Sequence, residues 1–319
     1  MPRAKRTNRA EARRRYRASL GESTEEEAFD EAEPQAAGRS SAPKASGPTQ
    51  ERPSLGYAFR ASFRPPNVRE DLRALPSLIV DRSVWLPHYL PAWSSQAASA
   101  ATYEIRDSVL NLSIPPDQGL WCGDTHQPPL RVSGIQSGNF SGPVGSTVGQ
   151  SAFRDGLTVS EQQEPFWGWT PGPGYIELRA RGVVTARSMV AFWIIGLEDH
   201  PDRSGEICVT EMFGNAVEPG ASTAVGMGLK AIRDPGLVDD FEAVHLPIDI
   251  AEFHTYAVDW TPEKADFLVE GTVIRSCPRP PTYPMQMMLA VFDFPDWSTG
   301  DDADAVPSLQ VDYLRGYQR

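Results

Sequence analysis

The sequence is poor in cysteine and has no long apolar run. Its three cysteines, Cys122, Cys208 and Cys277, are widely spaced, which fits neither a disulfide framework nor a zinc site. No segment approaches the roughly 18 apolar residues that a membrane-spanning helix needs, so no transmembrane segment is expected. The basic N-terminus is not followed by the apolar stretch of a secretory signal. As written, the sequence therefore predicts a cytoplasmic protein, or a secreted one if the start is misassigned or export is non-standard.

Positive charge is also in short supply. The formal net charge is -12, which argues against nucleic acid as the main partner of the folded part and is compatible with a neutral polysaccharide or oligosaccharide. The phosphate-binding loop, the dinucleotide fingerprint and the Gly-x-Ser-x-Gly elbow are all missing. No cofactor is therefore expected from these motifs.

The N-terminal part has the composition of a disordered tail. A basic block between Arg3 and Arg17 precedes an acidic block between Glu22 and Glu33, and a Ser, Ala, Gly and Pro-rich stretch follows. Such a segment cannot bury enough apolar surface to offset the entropy of ordering. Residues 1–75 are thus predicted to be a charged tail and linker, which either contacts an anionic surface or only aids solubility.

The remainder, residues 76–319, has the texture of an all-β protein. The chain contains 26 glycines and 29 prolines, which favour short strands joined by turns. Strands are predicted at Tyr103–Ile105, Val109–Ile114, Tyr175–Arg181, Val190–Ile195, Ile207–Met212, Ala224–Lys230, His254–Asp259, Ala265–Val269, Met287–Phe292 and Gln310–Tyr317. This pattern, without a fixed-period repeat, predicts a β-sandwich or jelly roll.

One strand carries two glutamates, Glu206 and Glu211, within the segment GEICVTEMFG. Strict alternation would place them on opposite faces, whereas a one-residue bulge near Val209 or Thr210 would return Glu211 to the face of Glu206. Two carboxylates on one face are what glycoside hydrolysis requires. The alternative is a solvated edge strand whose charges face water.

The same segment resembles the E-x-D-x-x-E signature of glycoside hydrolase family 16. Five further segments resemble the strands of that family, in the same order along the chain. They are Gly174–Arg181 (YGxxExRxK), Ala191–Ile195 (AFWLL), Phe253–Pro262 (FHTYAxDWTP), Phe267–Gly271 (FYVDG) and Val311–Gln318 (VDYVRVYQ).

The resemblance implies a concanavalin A-like jelly roll of two curved antiparallel sheets. It implies retaining, endo-acting hydrolysis of a β-linked polysaccharide, most readily a β-1,3 or mixed-linkage glucan, with Glu206 as nucleophile and Glu211 as general acid/base. Some relatives bind a structural calcium ion, for which Asp312 would be one candidate ligand.

Sugar rings stack on aromatic side chains, so the motif positions make Trp193, Trp260 and Trp297 candidate substrate-binding residues, although each could instead pack in the core. His254 is a fourth candidate, with a purely structural role as the alternative.

Cys208 stands where the family has its helper aspartate. The neighbouring carboxylate charges should raise the pKa of this thiol and keep it neutral, and a neutral thiol is a weak donor. Reduced or pH-shifted hydrolysis is one expectation. A lectin-like binding protein, or an interaction protein that uses the fold only as a scaffold, are the others.

Overall fold

The computed structural model describes residues 57–61, 80–300, 302 and 304–318. In this part, regular structure is almost entirely β-strand, and the helical segments are single 3₁₀ turns at Pro91–Trp93, Gly214–Ala216 and Pro295–Trp297. A search of the same residues finds no helix with the length and apolar character needed to cross a bilayer. The predicted tail, residues 1–75, lies outside the described residues except for a strand at Tyr57–Ala61.

The strands are short and follow one another with few interruptions. In chain order they are β1 (Tyr57–Ala61), β2 (Tyr103–Arg106), β3 (Val109–Ser113), β4 (Arg131–Gln136), β5 (Gly138–Asn139), β6 (Phe166–Trp167), β7 (Gly174–Val183), β8 (Ser188–Gly196), β9 (Glu206–Phe213), β10 (Val217–Glu218), β11 (Ser222–Lys230), β12 (Asp240–Leu246), β13 (His254–Trp260), β14 (Lys264–Val269), β15 (Thr272–Pro278), β16 (Met285–Asp293) and β17 (Ser308–Gln318).

Two large antiparallel sheets contain nearly all of these strands. The first, called here the outer sheet, has the order β15-β14-β13-β7-β17-β3-β2, and β1 also pairs with β17. The second, called the site sheet, has the order β10-β11-β9-β8-β16-β4, and β12 pairs with β11. Strands β5 and β6 form a small separate ribbon. The predicted all-β jelly roll of two antiparallel sheets is confirmed.

The core lies between the two sheets and follows from alternation along the strands. On β13, Tyr256, Val258 and Trp260 point inward and are fully buried, and Ile207 on β9 of the site sheet belongs to the same buried cluster. Alternate side chains of a strand share a face, so each strand contributes every second residue to this layer. Burial of apolar surface at about 25 cal/mol per Å² is the main force that holds the sheets together.

A second apolar cluster covers the opposite side of the site sheet, called here the site face. Trp193 and Phe292 project from the sheet itself, and Trp93 and Trp121 come from the segments that precede β4. Loops therefore lie over part of the site face. All ten strands predicted from the sequence are present. The side chains of β9 that do not point into the core project onto the site face.

Candidate active site

A bulge in β9 sets the positions of the two glutamates. On the neighbouring strand β8, Phe192 pairs with Thr210 and Trp193 pairs with Cys208, so one step on β8 matches two steps on β9. Val209 is the extra residue. Of the two alternatives for this strand, the one with a bulge near Val209 or Thr210 is thus present.

The bulge brings Glu206, Cys208 and Glu211 together on the site face. One ligand atom from each, the Cys208 sulfur and a carboxylate oxygen from each glutamate, lie within 4.8 Å of one another. Both glutamates are 8% exposed, and Cys208 is fully buried. The pair of carboxylates is therefore nearly buried on the site face.

Lys230, which the sequence analysis did not single out, completes this cluster. It ends β11 and pairs with Glu206 across the sheet. Its ammonium lies 2.8 Å from Glu211 Oε1 and 3.1 Å from Glu206 Oε1. At 7% exposure it is as deeply buried as the two glutamates. The cluster is therefore two carboxylates bridged by one cation.

Two glycines on β11 make room for this arrangement. A side chain at Gly226 would meet the Phe241 ring at 2.6 Å, and one at Gly228 would meet the backbone oxygen of Asp240 at 2.1 Å. Gly228 also has a φ of +139°, which L side chains rarely adopt. Phe241 on β12 pairs with Gly228, and the missing side chains allow its ring to lie close to β11. The ring centroid lies 4.6 Å from the Lys230 ammonium in a cation–π contact.

The electrostatics of the site oppose a fully ionised pair of glutamates. Burial raises the pKa of Glu206; the Lys230 ammonium opposes that rise, and the Glu211 charge adds to it. Two like charges this close repel each other, so a proton on one of the carboxyl groups lowers the electrostatic energy of the site. When one glutamate is protonated, the two carboxyl groups and the Lys230 ammonium together carry no net charge.

Cys208 does not act as an aspartate would. Burial, and then the charge of Glu211, raise the pKa of its thiol well above the usual value, so it stays neutral. Its sulfur lies 3.7 Å from the backbone oxygen of Gly226 and donates there. The direction of this shift agrees with the expected neutral thiol, and the thiol donates to a backbone oxygen instead of to a carboxylate.

Aromatic side chains surround the cluster. Burial raises the pKa of Tyr89, and the charge of the nearby Glu206 raises it further. The Tyr89 ring meets Trp121 and Phe292 edge-on, with centroid distances of 5.0 and 5.5 Å. Trp121 is fixed by a 3.1 Å hydrogen bond from its Nε1 to the backbone oxygen of Tyr89. Tyr89 and Trp121 belong to segments that the sequence motifs did not cover.

Two of the four predicted substrate-binding residues lie on the site face. Trp193 is the cross-strand partner of Cys208 and packs 6.0 Å from the Phe292 ring. Trp297 is half-buried and stacks on Phe294 at 4.3 Å, next to Phe213 at the end of β9. Their contact with a substrate stays a prediction.

The other two predicted substrate-binding residues lie away from the site face, which corrects the prediction. Trp260 is fully buried between the sheets, and its Nε1 donates to the backbone oxygen of Pro281 at 2.7 Å. His254 lies on the outer sheet, where its ring nitrogens contact Glu270 Oε1 and the backbone oxygen of Asp249. Both belong to β13, which is in the sheet opposite the site, so neither prediction was right.

The positive charge in the site comes from a side chain. A metal ion bound by Glu206, Cys208 and Glu211 would have to displace the Lys230 ammonium from both carboxylates. On the outer sheet, Asp312 forms an ion pair with Arg179 at 2.5 Å. The calcium ion that the family resemblance allows at Asp312 stays a prediction.

The family resemblance is confirmed by comparison with family profiles. Residues 173–315 match the family described as glycosyl hydrolases family 16. The match contains β7 to β16 and most of β17, and therefore both glutamates, Cys208 and Lys230. No curated protein sequence matches the chain.

Several solved structures share the fold. The GlcNAcα1-4Gal-releasing endo-β-galactosidase from Clostridium perfringens has a TM-score of 0.66 at 22% identity, over 84% of this chain and 63% of that one. This chain thus spans less than two thirds of that enzyme. The catalytic domain of an endo-1,3-β-glucanase (laminarinase) from Thermotoga petrophila RKU-1 has a TM-score of 0.54 at 15% identity, over 83% and 98% of the two chains. A β-1,3-1,4-glucanase (lichenase) from a mouse hindgut metagenome has 0.51 at 16%, over 81% and 98%.

Proposed function

Because residues 173–315 match the model of glycosyl hydrolases family 16, we propose that this protein is an endo-acting, retaining glycoside hydrolase of a β-linked polysaccharide. Glu206 is the proposed nucleophile and Glu211 the proposed general acid/base. One observation carries the proposal: the β9 bulge brings one carboxylate oxygen of each residue within 4.8 Å of the other.

The spacing of the carboxylates supports retention over inversion. Retaining enzymes hold the two groups ~5–5.5 Å apart, whereas inverting enzymes leave room for a water molecule at ~6.5–9.5 Å. With the shorter spacing, Glu206 attacks the anomeric carbon and Glu211 protonates the oxygen that leaves. Water, deprotonated by Glu211, then releases the sugar from Glu206.

The proposed substrates are neutral polymers. A β-1,3 or mixed-linkage glucan is the first candidate, because the laminarinase and the lichenase share the fold. A galactose-containing glycan is the second, because the C. perfringens endo-β-galactosidase superposes with the higher TM-score of 0.66. The net charge of -12 would repel a polyanionic chain.

A carbohydrate-binding protein without turnover is a second candidate function. It is favoured by the neutral thiol of Cys208, which donates to a backbone oxygen instead of to a carboxylate. In this case the aromatic side chains around the site would hold a sugar that the glutamates do not cleave.

The first test is a hydrolysis assay on defined polymers. Laminarin, lichenan and a β-linked galactan are incubated with the protein, and released reducing ends are measured. We expect internal cleavage of one polymer class, and proton NMR should show the β-anomer as the first product. Binding of these glycans without cleavage would support the second candidate, and release of the α-anomer would contradict retention.

The Cys208→Asp variant tests the departure from the family pattern. A carboxyl group at this position can hydrogen-bond to Glu206, and a hydrogen bond to a charged partner contributes about 1.5–3 kcal/mol. We expect kcat/KM to rise about tenfold or more. The rates are measured on the polymer that the wild type cleaves.

The matched control for this variant is Cys277→Ser. Cys277 is a fully buried free cysteine on β15 of the outer sheet, so its replacement tests whether loss of a buried thiol alone changes the rate. An unchanged or lower rate in Cys208→Asp would show that the thiol does not limit the reaction. Inactivity of both the wild type and Cys208→Asp would contradict the enzyme proposal.

A further inference from the structure

Lys230 contacts both carboxylates of the site, and the proposed function assigns it no role. Its ammonium is 2.8 Å from Glu211 and 3.1 Å from Glu206. A buried lysine is costly unless it is paired, and its charge is difficult to keep in an apolar site. Its position therefore calls for a physical explanation beyond packing.

We infer that Lys230 is a positioning residue, which acts as the counter-ion of whichever of the two carboxylates is charged at each stage of hydrolysis. This inference rests on the proposed function. It concerns the charge of the site, because Lys230 neither attacks the sugar nor exchanges a proton with it.

The charge balance of the reaction explains why one cation between two carboxylates is suited to this role. Before reaction, Glu206 is a carboxylate and Glu211 carries the proton. When Glu206 bonds to the anomeric carbon and the glycosidic carbon–oxygen bond breaks, the proton of Glu211 passes to the leaving oxygen. Glu206 is then a neutral ester and Glu211 is a carboxylate. The negative charge has moved from one side of Lys230 to the other.

The second half of the reaction returns the charge to Glu206. Glu211 takes a proton from water, the water oxygen bonds to the anomeric carbon, and the ester bond to Glu206 breaks. Throughout, the pair and Lys230 together carry no net charge. In a buried site this constancy lowers the electrostatic cost of moving charge, because a fixed ion needs no reorganisation.

The surroundings of Glu206 show what Lys230 has to counteract. Glu211 and Cys208 face Glu206 from β9, Asp239 lies near it before β12, and Tyr89 faces it from the segment before β4. Burial, Glu211 and Asp239 all raise the pKa of Glu206, while Lys230 lowers it. The nucleophile must be ionised, so Lys230 acts in the direction that catalysis needs.

The Lys230→Met variant tests the inference, because methionine keeps the length of the side chain and removes its charge. Loss of an opposite charge at this distance raises a carboxyl pKa by about 1–3 units. We expect the acid limb of kcat/KM to move to higher pH by this amount. We also expect kcat to fall on the order of 100-fold. The Lys230→Arg variant keeps the charge and should keep the acid limb near that of the wild type.

Lys264→Met is the matched control. Lys264 lies on β14 of the outer sheet, where it pairs with Asp266 at 2.6 Å and is more than half exposed. Its replacement should leave the pH profile unchanged. An acid limb in Lys230→Met that coincides with that of the wild type would overturn the inference.

A titration that needs no activity separates this inference from the proposed function. The carboxyl carbons of glutamate are labelled with ¹³C, the Glu206 signal is assigned by its loss in Glu206→Gln, and its pKa is measured by NMR. We expect a higher pKa in Lys230→Met than in the wild type, even if no polymer is cleaved. Equal values would overturn the inference. If Lys230→Met does not fold, Lys230→Arg is titrated instead, and a rise of about one unit or more there would overturn it.

Discussion

The Glu206→Gln variant is expected to lose on the order of 10³-fold or more in kcat. An amide is isosteric with the carboxyl group but cannot form the ester to the anomeric carbon. The neighbouring carboxylate, Glu211, has an oxygen within 4.8 Å of one from Glu206, but the proposed reaction already uses it as the acid/base. The assay is reducing-end release from the polymer that the wild type cleaves.

This loss should come without loss of stability. Burial raises the pKa of Glu206 above its ordinary value of 4.5, so its carboxylate is disfavoured in the folded state. Glu206 therefore stabilises the fold while it is protonated, and this contribution disappears as the pH rises from 4.5 through the raised pKa. A neutral amide removes that cost, so thermal unfolding at pH 7 should occur at the same temperature as in the wild type or a higher one.

The Glu211→Gln variant is the matched partner, because it distinguishes the two roles. A general acid is needed only when the leaving group requires a proton, and its loss lowers the rate by about 10²–10⁴-fold on a polysaccharide. An aryl glycoside with an acidic phenol needs no such help in its first step. We expect Glu211→Gln to retain a burst of phenol release, and Glu206→Gln to show none. The reverse pattern would exchange the two roles.

The Asp293→Asn variant is expected to destabilise the fold by about 3–5 kcal/mol. Asp293 ends β16 and is fully buried between two arginines. One of its oxygens accepts from Arg131 at 2.6 Å, and the other lies 2.7 Å from Arg187 Nε. The asparagine would leave two buried guanidinium groups without their shared negative charge. Urea unfolding at pH 7 measures the change.

An exposed ion pair provides the control. Glu104 and Arg106 pair at 3.3 Å on β2 with largely exposed side chains, so Glu104→Gln should leave the unfolding midpoint unchanged. A loss below about 1 kcal/mol in Asp293→Asn would mean that the arginines find other partners.

The fold was predictable because the strands alternate in a regular way. The ten predicted strands are present, and the carboxylate bulge was predictable because Glu211 can share a face with Glu206 only if one residue is added. The same rule excludes Trp260 as a substrate-binding residue. It is two and four residues from Val258 and Tyr256, so it shares their inward face. Its motif position indicated the site, but alternation along β13 places it in the core.

Lys230 was missed for a physical reason. A lysine at the end of a strand is usually solvated, and nothing in its immediate sequence says that its ammonium turns toward another strand. The spaced glycines Gly226 and Gly228 before it were the available signal, because residues without side chains on one face allow neighbours to approach. Tyr89 and Trp121 were missed because loops bring them to the site face, and loop paths are not set by strand periodicity.

The bulge in β9 determines which face of the site sheet Glu211 occupies. If β9 kept its length but paired with its neighbours without the bulge, unbroken alternation would turn Glu211 toward the apolar layer between the sheets, with every amino acid of the glutamate pair still present. An unpaired carboxyl group there would cost several kcal/mol or take up a proton. Deletion of Val209 would instead leave the two glutamates four positions apart, so a regular strand without a bulge would keep both on the site face.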